Sequence, residues 1–446
     1  MHMIAHRQTI ALLIATISLC GMAIGAAPSP PNILLIVSDN QGWGDVGYHG
    51  SDIRTPHLDR LATEGARLER FYVYPMCSPT RAALLSGRAP SRYGINGAIG
   101  HRSRQALPPE TVTIADALQS IGYETAITGK WHVGLRPETG PRQYGFDVSY
   151  GYLHGQIDKL THRYKNGDRS WHRNDQLADE AGHSLDLITA EAVRFIEARR
   201  DGPFFLYVPF GAPHPPLQEE ARWVEPYEQT IALPSRRLYA AAVTHMDDAI
   251  GQLLEALERS GHRQNTLVVF FSDNGAIKDL PEQPDNYEGR FGPYPQLGNN
   301  GPLRGWIGDV YDGCLRTPAL VHWPGVIAPG IIDEVISVLD WYPTLVALAG
   351  GTTDTELQLE GRNIWPRLRD GAALEPIVLY WTNYNRQHVA LREGPWKLVV
   401  NHATGLRELF NTWDDPGEER NLAAQHPERV ARLQTLLEQQ VALDLP

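Results

Sequence analysis

The stretch Asn32-Ile33-Leu34-Leu35-Ile36-Val37-Ser38, closed by Asp39-Asn40, decides how the rest of this 446-residue chain is read. Its apolar, β-branched run shows no polar alternation, so it reads as a strand buried on both faces, the kind found inside parallel sheets. Working outward, Thr125 to Thr128, Phe204 to Phe210, Thr266 to Ser272 and Ala319 to Trp323 are further strands, with helical patterns between several of them. Strands alternating with helices predict an α/β fold in which helices sandwich a large, mostly parallel sheet. One intervening helix is plain, because Met246, Ile250, Leu253, Leu254 and Leu257 share a face and Gly261 stops it.

The composition shifts after about Gly350 to Asp354. Shorter elements follow at Ile377 to Trp381, His388 to Arg392 and Trp396 to Val400, which predict a small antiparallel sheet. The run Pro427 to Leu443 then predicts a closing amphipathic helix. At the other end, Arg7, the apolar run Ile10 to Leu19 and the small residues Gly25, Ala26 and Ala27 read as a cleavable signal peptide. That run is shorter than the roughly 20 residues that span a bilayer, so export to the periplasm or medium is expected, without stable membrane insertion. The expected division is 1–27 signal peptide, 28–354 catalytic α/β domain and 355–446 C-terminal subdomain.

A formal charge of −12 argues against nucleic acid as a partner. An anionic substrate would need a local basic cluster instead. Of three cysteines one lies in the leader, which leaves Cys77 and Cys314 and no disulfide framework. The stretch from Ala276 to Pro302 is too long for an ordinary connection and reads as a site-lining loop.

Two strands end in the same tripeptide, Ser38-Asp39-Asn40 and Ser272-Asp273-Asn274. Asp and Asn often just end strands with turns. Ligands, however, bind beyond the carboxyl ends of parallel strands, and carboxylate and amide oxygens suit calcium or magnesium, so the coincidence favours a metal site.

Next comes Cys77-Ser78-Pro79-Thr80-Arg81, then Ala82 to Leu85 and Ser86-Gly87-Arg88. C-x-P-x-R followed by A-A-L-L-x-G-R resembles the signature of the formylglycine-dependent sulfatases of the alkaline phosphatase superfamily. The resemblance extends through D-N-Q-G-W-G-D-V-G-Y-H-G, T-P-H-L-D-R-L-A from Thr55, T-G-K-W-H from Thr128, P-H-x-P from Pro213, S-D-N-G from Ser272, and the pieces at Trp396 and Asp415. It implies an alkaline-phosphatase-like sheet and a nucleophile made when a maturation enzyme oxidises Cys77 to formylglycine. A geminal diol can expel sulfate by regenerating the aldehyde, where a plain hydroxyl would be left as a stable sulfate ester.

By carry-over, Arg81 would polarise formylglycine, Lys130 would contact sulfate oxygens, His132 would deprotonate the hydrate and His214 would serve the leaving oxygen. The implied metal set is Asp39, Asn40, Asp273 and Asn274, with the modified Cys77. Lys130 and His132, two apart in an extended stretch, are expected to face the same side.

Two positions depart from the family. Relatives carry two aspartates where this chain has Asp39-Asn40, which predicts weaker calcium binding. They also place a substrate-contacting lysine at Ile307 and usually a glycine at Cys314. Arg304 is the expected replacement cation. Tyr48 to His57 and Gly151 to Gly155 look closest to arylsulfatase B, or N-acetylgalactosamine-4-sulfatase, types. A sulfated carbohydrate is therefore expected ahead of an aryl sulfate, with His154, Asp158, His162, Trp171 and His172 as candidate sugar contacts. The competing functions are phosphate or phosphonate ester hydrolysis on the same fold, and capture of sulfated glycans by a degenerate sulfatase. The C-S-P-T-R run argues against the first, and the retained Cys77, Arg81, Lys130, His132 and His214 against the second.

Overall fold

The computed structural model describes residues 30–165, 167–283, 285–287 and 291–445, so the expected signal peptide lies outside the described residues. Asn32–Ser38 forms a strand with all seven residues buried. Its side chains alternate between layers: Ile33, Leu35 and Val37 enter one core, Leu34 and Ile36 the other. That division explains the unbroken apolar run, because both faces of this strand are covered.

The large sheet has ten strands in the order Gly330–Ser337, Ala66–Tyr72, Ala319–His322, Thr266–Ser272, Asn32–Ser38, Phe204–Pro209, Glu124–Lys130, Val148–Tyr152, Trp171–Arg173 and Gln176–Leu177. Its central five strands, from Thr266–Ser272 to Val148–Tyr152, are mutually parallel. Ala319–His322, one of the expected strands, runs antiparallel to Thr266–Ser272. The sheet is mixed at both margins, where Trp171–Arg173 and Gln176–Leu177 also run antiparallel.

The predicted helix spans Pro234–Arg259 and begins on Pro234. Met246, Ile250, Leu253, Leu254 and Leu257 pack on one face of the sheet. Gly261, at φ +74°, follows the helix end as expected. Among the described residues no helix is long and apolar enough to cross a membrane.

The second sheet is a four-stranded antiparallel meander of Val378–Thr382, His388–Glu393, Trp396–Asn401 and Arg407–Asn411. Leu379, Trp381, Ala390, Val399 and Phe410 join the main core. The opposite face packs against Leu433 and Leu437 of the Pro427–Val441 helix.

Candidate active site

All five parallel strands deliver residues to one place at their carboxyl ends. The ladder continues past each strand: the Asp273 amide donates to Ser38 O at 3.0 Å, Asp39 N to Ala212 O at 2.9 Å, and His132 N to Leu153 O at 3.1 Å. Asp39, Asn40, Asp273 and Asn274 are thereby brought together, all at most 1 % exposed. Asp273 Oδ1 accepts the Asn40 amide at 3.3 Å, and Asn40 Oδ1 accepts Asn274 Nδ2 at 2.5 Å.

Cys77 opens a ten-residue helix, Cys77–Ser86, that is buried throughout. Arg81 follows one turn later on the same face. Its Nε and Nη2 donate to Asp273 Oδ2 at 3.1 and 2.8 Å, and Nη1 donates to Lys130 O at 2.9 Å. Lys130 Nζ donates to Asp39 Oδ2 at 2.5 Å. These contacts lock the two cations among the carboxylates.

Cys77 Sγ lies 3.1 Å from His132 Nδ1, and His132 Nε2 lies 3.1 Å from Ile99 O. A carbonyl can only accept, so Nε2 carries the ring proton and Nδ1 turns its lone pair to Cys77. The two side chains at 130 and 132 do reach one site, but not as an extended pair. The strand ends at Lys130, and His132 has a left-handed φ of +59°. Gly155 permits the ring's position, since a Cβ there would sit 2.3 Å from His132 Cε1.

Burial would push the Asp39 carboxyl up, but Lys130, His214 and Arg81 together hold it below the usual range. Burial and the Asp39 charge push Asp273 up. Burial, then Lys130, pulls His132 well below the ordinary histidine value, and burial takes His214 down to about 4. Both imidazoles are neutral at pH 7. Among the described residues Asp39 Oδ1 and Asn274 Oδ1 are buried without a hydrogen-bond partner. Two crowded carboxylates beside an orphaned carboxylate oxygen and an orphaned amide oxygen fit a hard divalent cation.

Arg304 is not brought to this place. Its Nη1 donates to Glu418 O at 2.9 Å and pairs with Glu408 at 3.3 Å, and its guanidinium stacks 3.9 Å from the Tyr311 ring centroid. The expectation that it replaces the absent lysine is therefore corrected: acceptors on the small sheet and a ring face have captured it. Ile307 is at the site's border, its amide on Ala276 O and the next amide, Gly308, on Pro75 O. Cys314, fully buried, donates weakly to Pro75 O at 3.3 Å. The Ala276–Pro302 stretch starts two residues after Asn274, and its end folds back on that start, with Ala276 N donating to Asn300 Oδ1 at 3.0 Å.

The candidate sugar contacts are mostly engaged elsewhere. His154 Nδ1 lies 2.9 Å from Ser170 Oγ, and His162 stacks on Trp171 with Nε2 3.0 Å from Gly182 O. Asp158 accepts the amides of Leu160 and Thr161 at 3.0 and 2.8 Å and Gln218 Nε2 at 2.9 Å. His172 Nε2 sits 2.6 Å from Ser149 Oγ.

Sequence reasoning missed Lys159, His183, Glu219 and His245, which collect behind His214. The last three offer ligand atoms within 4.8 Å of one another. His245, however, has Glu219 at 2.7 Å on Nδ1 and Asp186 at 3.0 Å on Nε2, and these carboxylates raise it to about 9 against burial. His183 Nδ1 accepts the Leu185 amide at 3.3 Å, which leaves the proton on Nε2 rather than a lone pair for a metal. The group reads as an imidazolium held between carboxylates. No motif spacing signals it, since its members are scattered along the chain.

Residues 31–351 match the family described as Sulfatase, and residues 306–443 match the family described as N-sulphoglucosamine sulphohydrolase, C-terminal. Arylsulfatase J of Mus musculus is 34 % identical over 83 % of this chain, which spans 61 % of that relative's length. N-acetylgalactosamine-6-sulfatase of Homo sapiens is 31 % identical over 94 % of this chain and 87 % of its own. Among solved structures, Ps i-CgsB in complex with k-i-k-neocarrahexaose superposes with a TM-score of 0.83 at 30 % identity, covering 94 % of both chains. Joined to a site assembled from the ends of five parallel strands around Cys77, these matches establish that the chain belongs to the sulfatase family.

Proposed function

We propose that this protein is a secreted or periplasmic sulfuric ester hydrolase that removes sulfate from a sulfated carbohydrate, using formylglycine made from Cys77 by a maturation enzyme, and calcium. The observation that carries this reading is the 3.1 Å approach of Cys77 Sγ to His132 Nδ1 inside a buried cage of Arg81, Lys130, Asp39 and Asp273. Formylglycine supplies a nucleophile that can release sulfate by reverting to its aldehyde, and calcium supplies positive charge to sulfuryl oxygens. Asp39, Asn40, Asp273 and Asn274 would hold the calcium.

The chain's own residues supply the rest. His132 takes a proton at Nδ1 from residue 77, its tautomer fixed by Ile99 O. Arg81, clamped by Asp273, keeps its guanidinium rigid beside residue 77 without reorganisation during turnover. Lys130 brings a second fixed cation to the sulfate oxygens. His214 donates Nδ1–H to Pro215 O at 2.5 Å, so Nε2 carries a lone pair and must take up a proton before it can give one to the leaving oxygen. The oligosaccharide bound to Ps i-CgsB and the aminosugar in the names of the mammalian relatives support a carbohydrate over a small aryl sulfate.

Mass spectrometry of the natively produced Cys77 peptide should show an aldehyde in place of the thiol. Active protein carrying only unmodified cysteine would sink the mechanism. Matched sulfate and phosphate esters should be turned over with a clear preference for sulfate.

Calcium dependence has its own test. Asn40 spends Oδ1 on Asn274 Nδ2 and adds no charge, whereas an aspartate could accept that bond with one oxygen and offer the other to the cation. Asn40→Asp should tighten calcium on the order of tenfold, read by titration calorimetry on chelator-stripped protein. Unchanged affinity would remove Asn40 from the ligand set.

A further inference from the structure

Ile307 brings no charge to the border of the site, and Arg304 is held elsewhere. Another buried ammonium stands nearby. Lys159 is 6 % exposed and lies in the loop that follows the Val148–Tyr152 strand, the fifth of the parallel strands whose ends build the site. Its Nζ donates to Gly211 O at 3.1 Å. The peptide that follows, Ala212, accepts the Asp39 amide at 2.9 Å, so Lys159 is tied to the same strand end that anchors Asp39.

Lys159, Tyr152, Gly211, Pro213 and His214 line one small cavity, with room for about one water. Of the three ammonium hydrogens, Gly211 O takes one. Among the described residues the Tyr152 hydroxyl is buried without a partner, 1.9 Å from where a Gly211 Cβ would be, and only glycine there leaves room for the two donors. A buried ammonium with unspent hydrogens is costly unless an anion uses it. Asp39 and Glu219 give it partial charge balance, and Lys130 and His214 feel its field.

We propose that Lys159 supplies the cation that position 307 lacks, acting from behind His214 through the shared cavity to stabilise negative charge on the sulfate group. The assignment deepens the sulfatase reading and rests on it. Lys159 is a positioning residue here, since it acts on the sulfate group through His214, with which it shares the cavity. Lys278 is the competing cation, but it is exposed and sits 6.0 Å over the Trp306 ring.

The test is a charge-relocation cycle on the full chain. Inorganic sulfate is titrated calorimetrically into protein carrying unmodified Cys77, so the readout does not depend on turnover. Lys159→Gln, which keeps a donor for Gly211 O, should weaken sulfate binding roughly tenfold, and in matured protein should lower kcat/KM roughly 10- to 100-fold. Ile307→Lys in that background should restore most of both, while in the wild type it should be neutral or harmful. Restoration by a charge placed elsewhere would not follow from a merely structural role. Lys278→Gln should leave both readings unchanged.

Sulfate affinity unaffected by Lys159→Gln overturns the proposal, as does a loss that Ile307→Lys fails to restore, or a loss found in Lys278→Gln instead. If the binding cycle holds but matured wild type turns over no sulfate ester, the hydrolase reading fails while the cation assignment stands.

Discussion

Cys77→Ala should abolish sulfate ester hydrolysis and leave the fold intact. The expected loss in kcat is roughly 10⁴-fold or more, the scale seen when a covalent nucleophile is removed and only substrate binding and electrostatics remain. The fold should tolerate the change because Cys77 opens its helix, and alanine keeps the Cβ and the helical backbone. The sulfur's contact is with His132, whose ring remains fixed by Ile99 O. Losing one buried sulfur costs about 1–2 kcal/mol of stability, small beside the catalytic effect. The measurement pairs kcat/KM on a sulfated oligosaccharide with the thermal midpoint. Activity within tenfold of wild type, at an unchanged midpoint, would mean that residue 77 is not the nucleophile.

The centre of the fold was legible because its strands are buried on both faces. Asn32–Ser38 and Thr266–Ser272 match their expected bounds, since an unbroken apolar run has no other stable placement here. The margins were not legible. Ala66–Tyr72, A-R-L-E-R-F-Y, interleaves charges with apolar residues, and Gly330–Ser337 carries Asp333 and Glu334 where its register with Ala66–Tyr72 shifts. Strand direction was invisible for Ala319–His322, because a short buried strand carries the same pattern whichever way it runs.

The site divides the same way. Asp39, Asp273, Cys77, Arg81, Lys130 and His132 could be named because each sits in a compact motif, and strand-end geometry brings them together. Arg304 was misplaced because sequence gives a side chain's position along the chain but not its direction, and Glu408 lies more than a hundred residues away. Lys159 was passed over beside Asp158 for a related reason. Its significance depends on Gly211 and on the cavity behind His214, neither of which has a local signature.

Lys397→Met should destabilise the protein by about 3–5 kcal/mol, the usual cost of stripping the partner from a buried charge. Lys397 is fully buried on the small sheet, yet Nζ donates to Asp312 Oδ1 at 2.7 Å in the segment that follows Ile307 and lies 2.8 Å from Glu418 Oε1. Tyr72 OH closes the group by donating to Asp312 Oδ2 at 2.7 Å. The ammonium thus holds two carboxylates together where the small sheet meets the large one. Burial raises Glu418 to about 7 even with Lys397 present, and without it the carboxyl must rise further. A group whose folded pKa exceeds its unfolded value contributes stability at low pH and loses it as pH rises through the folded value. The variant's deficit should therefore be smaller at pH 5 than at pH 8. Adding Glu418→Gln should recover part of the loss at pH 8, because it removes the stranded charge. Denaturant midpoints for the three proteins at both pH values decide the matter, and a deficit independent of pH would show that lost packing, not the unpaired carboxylate, is the cause.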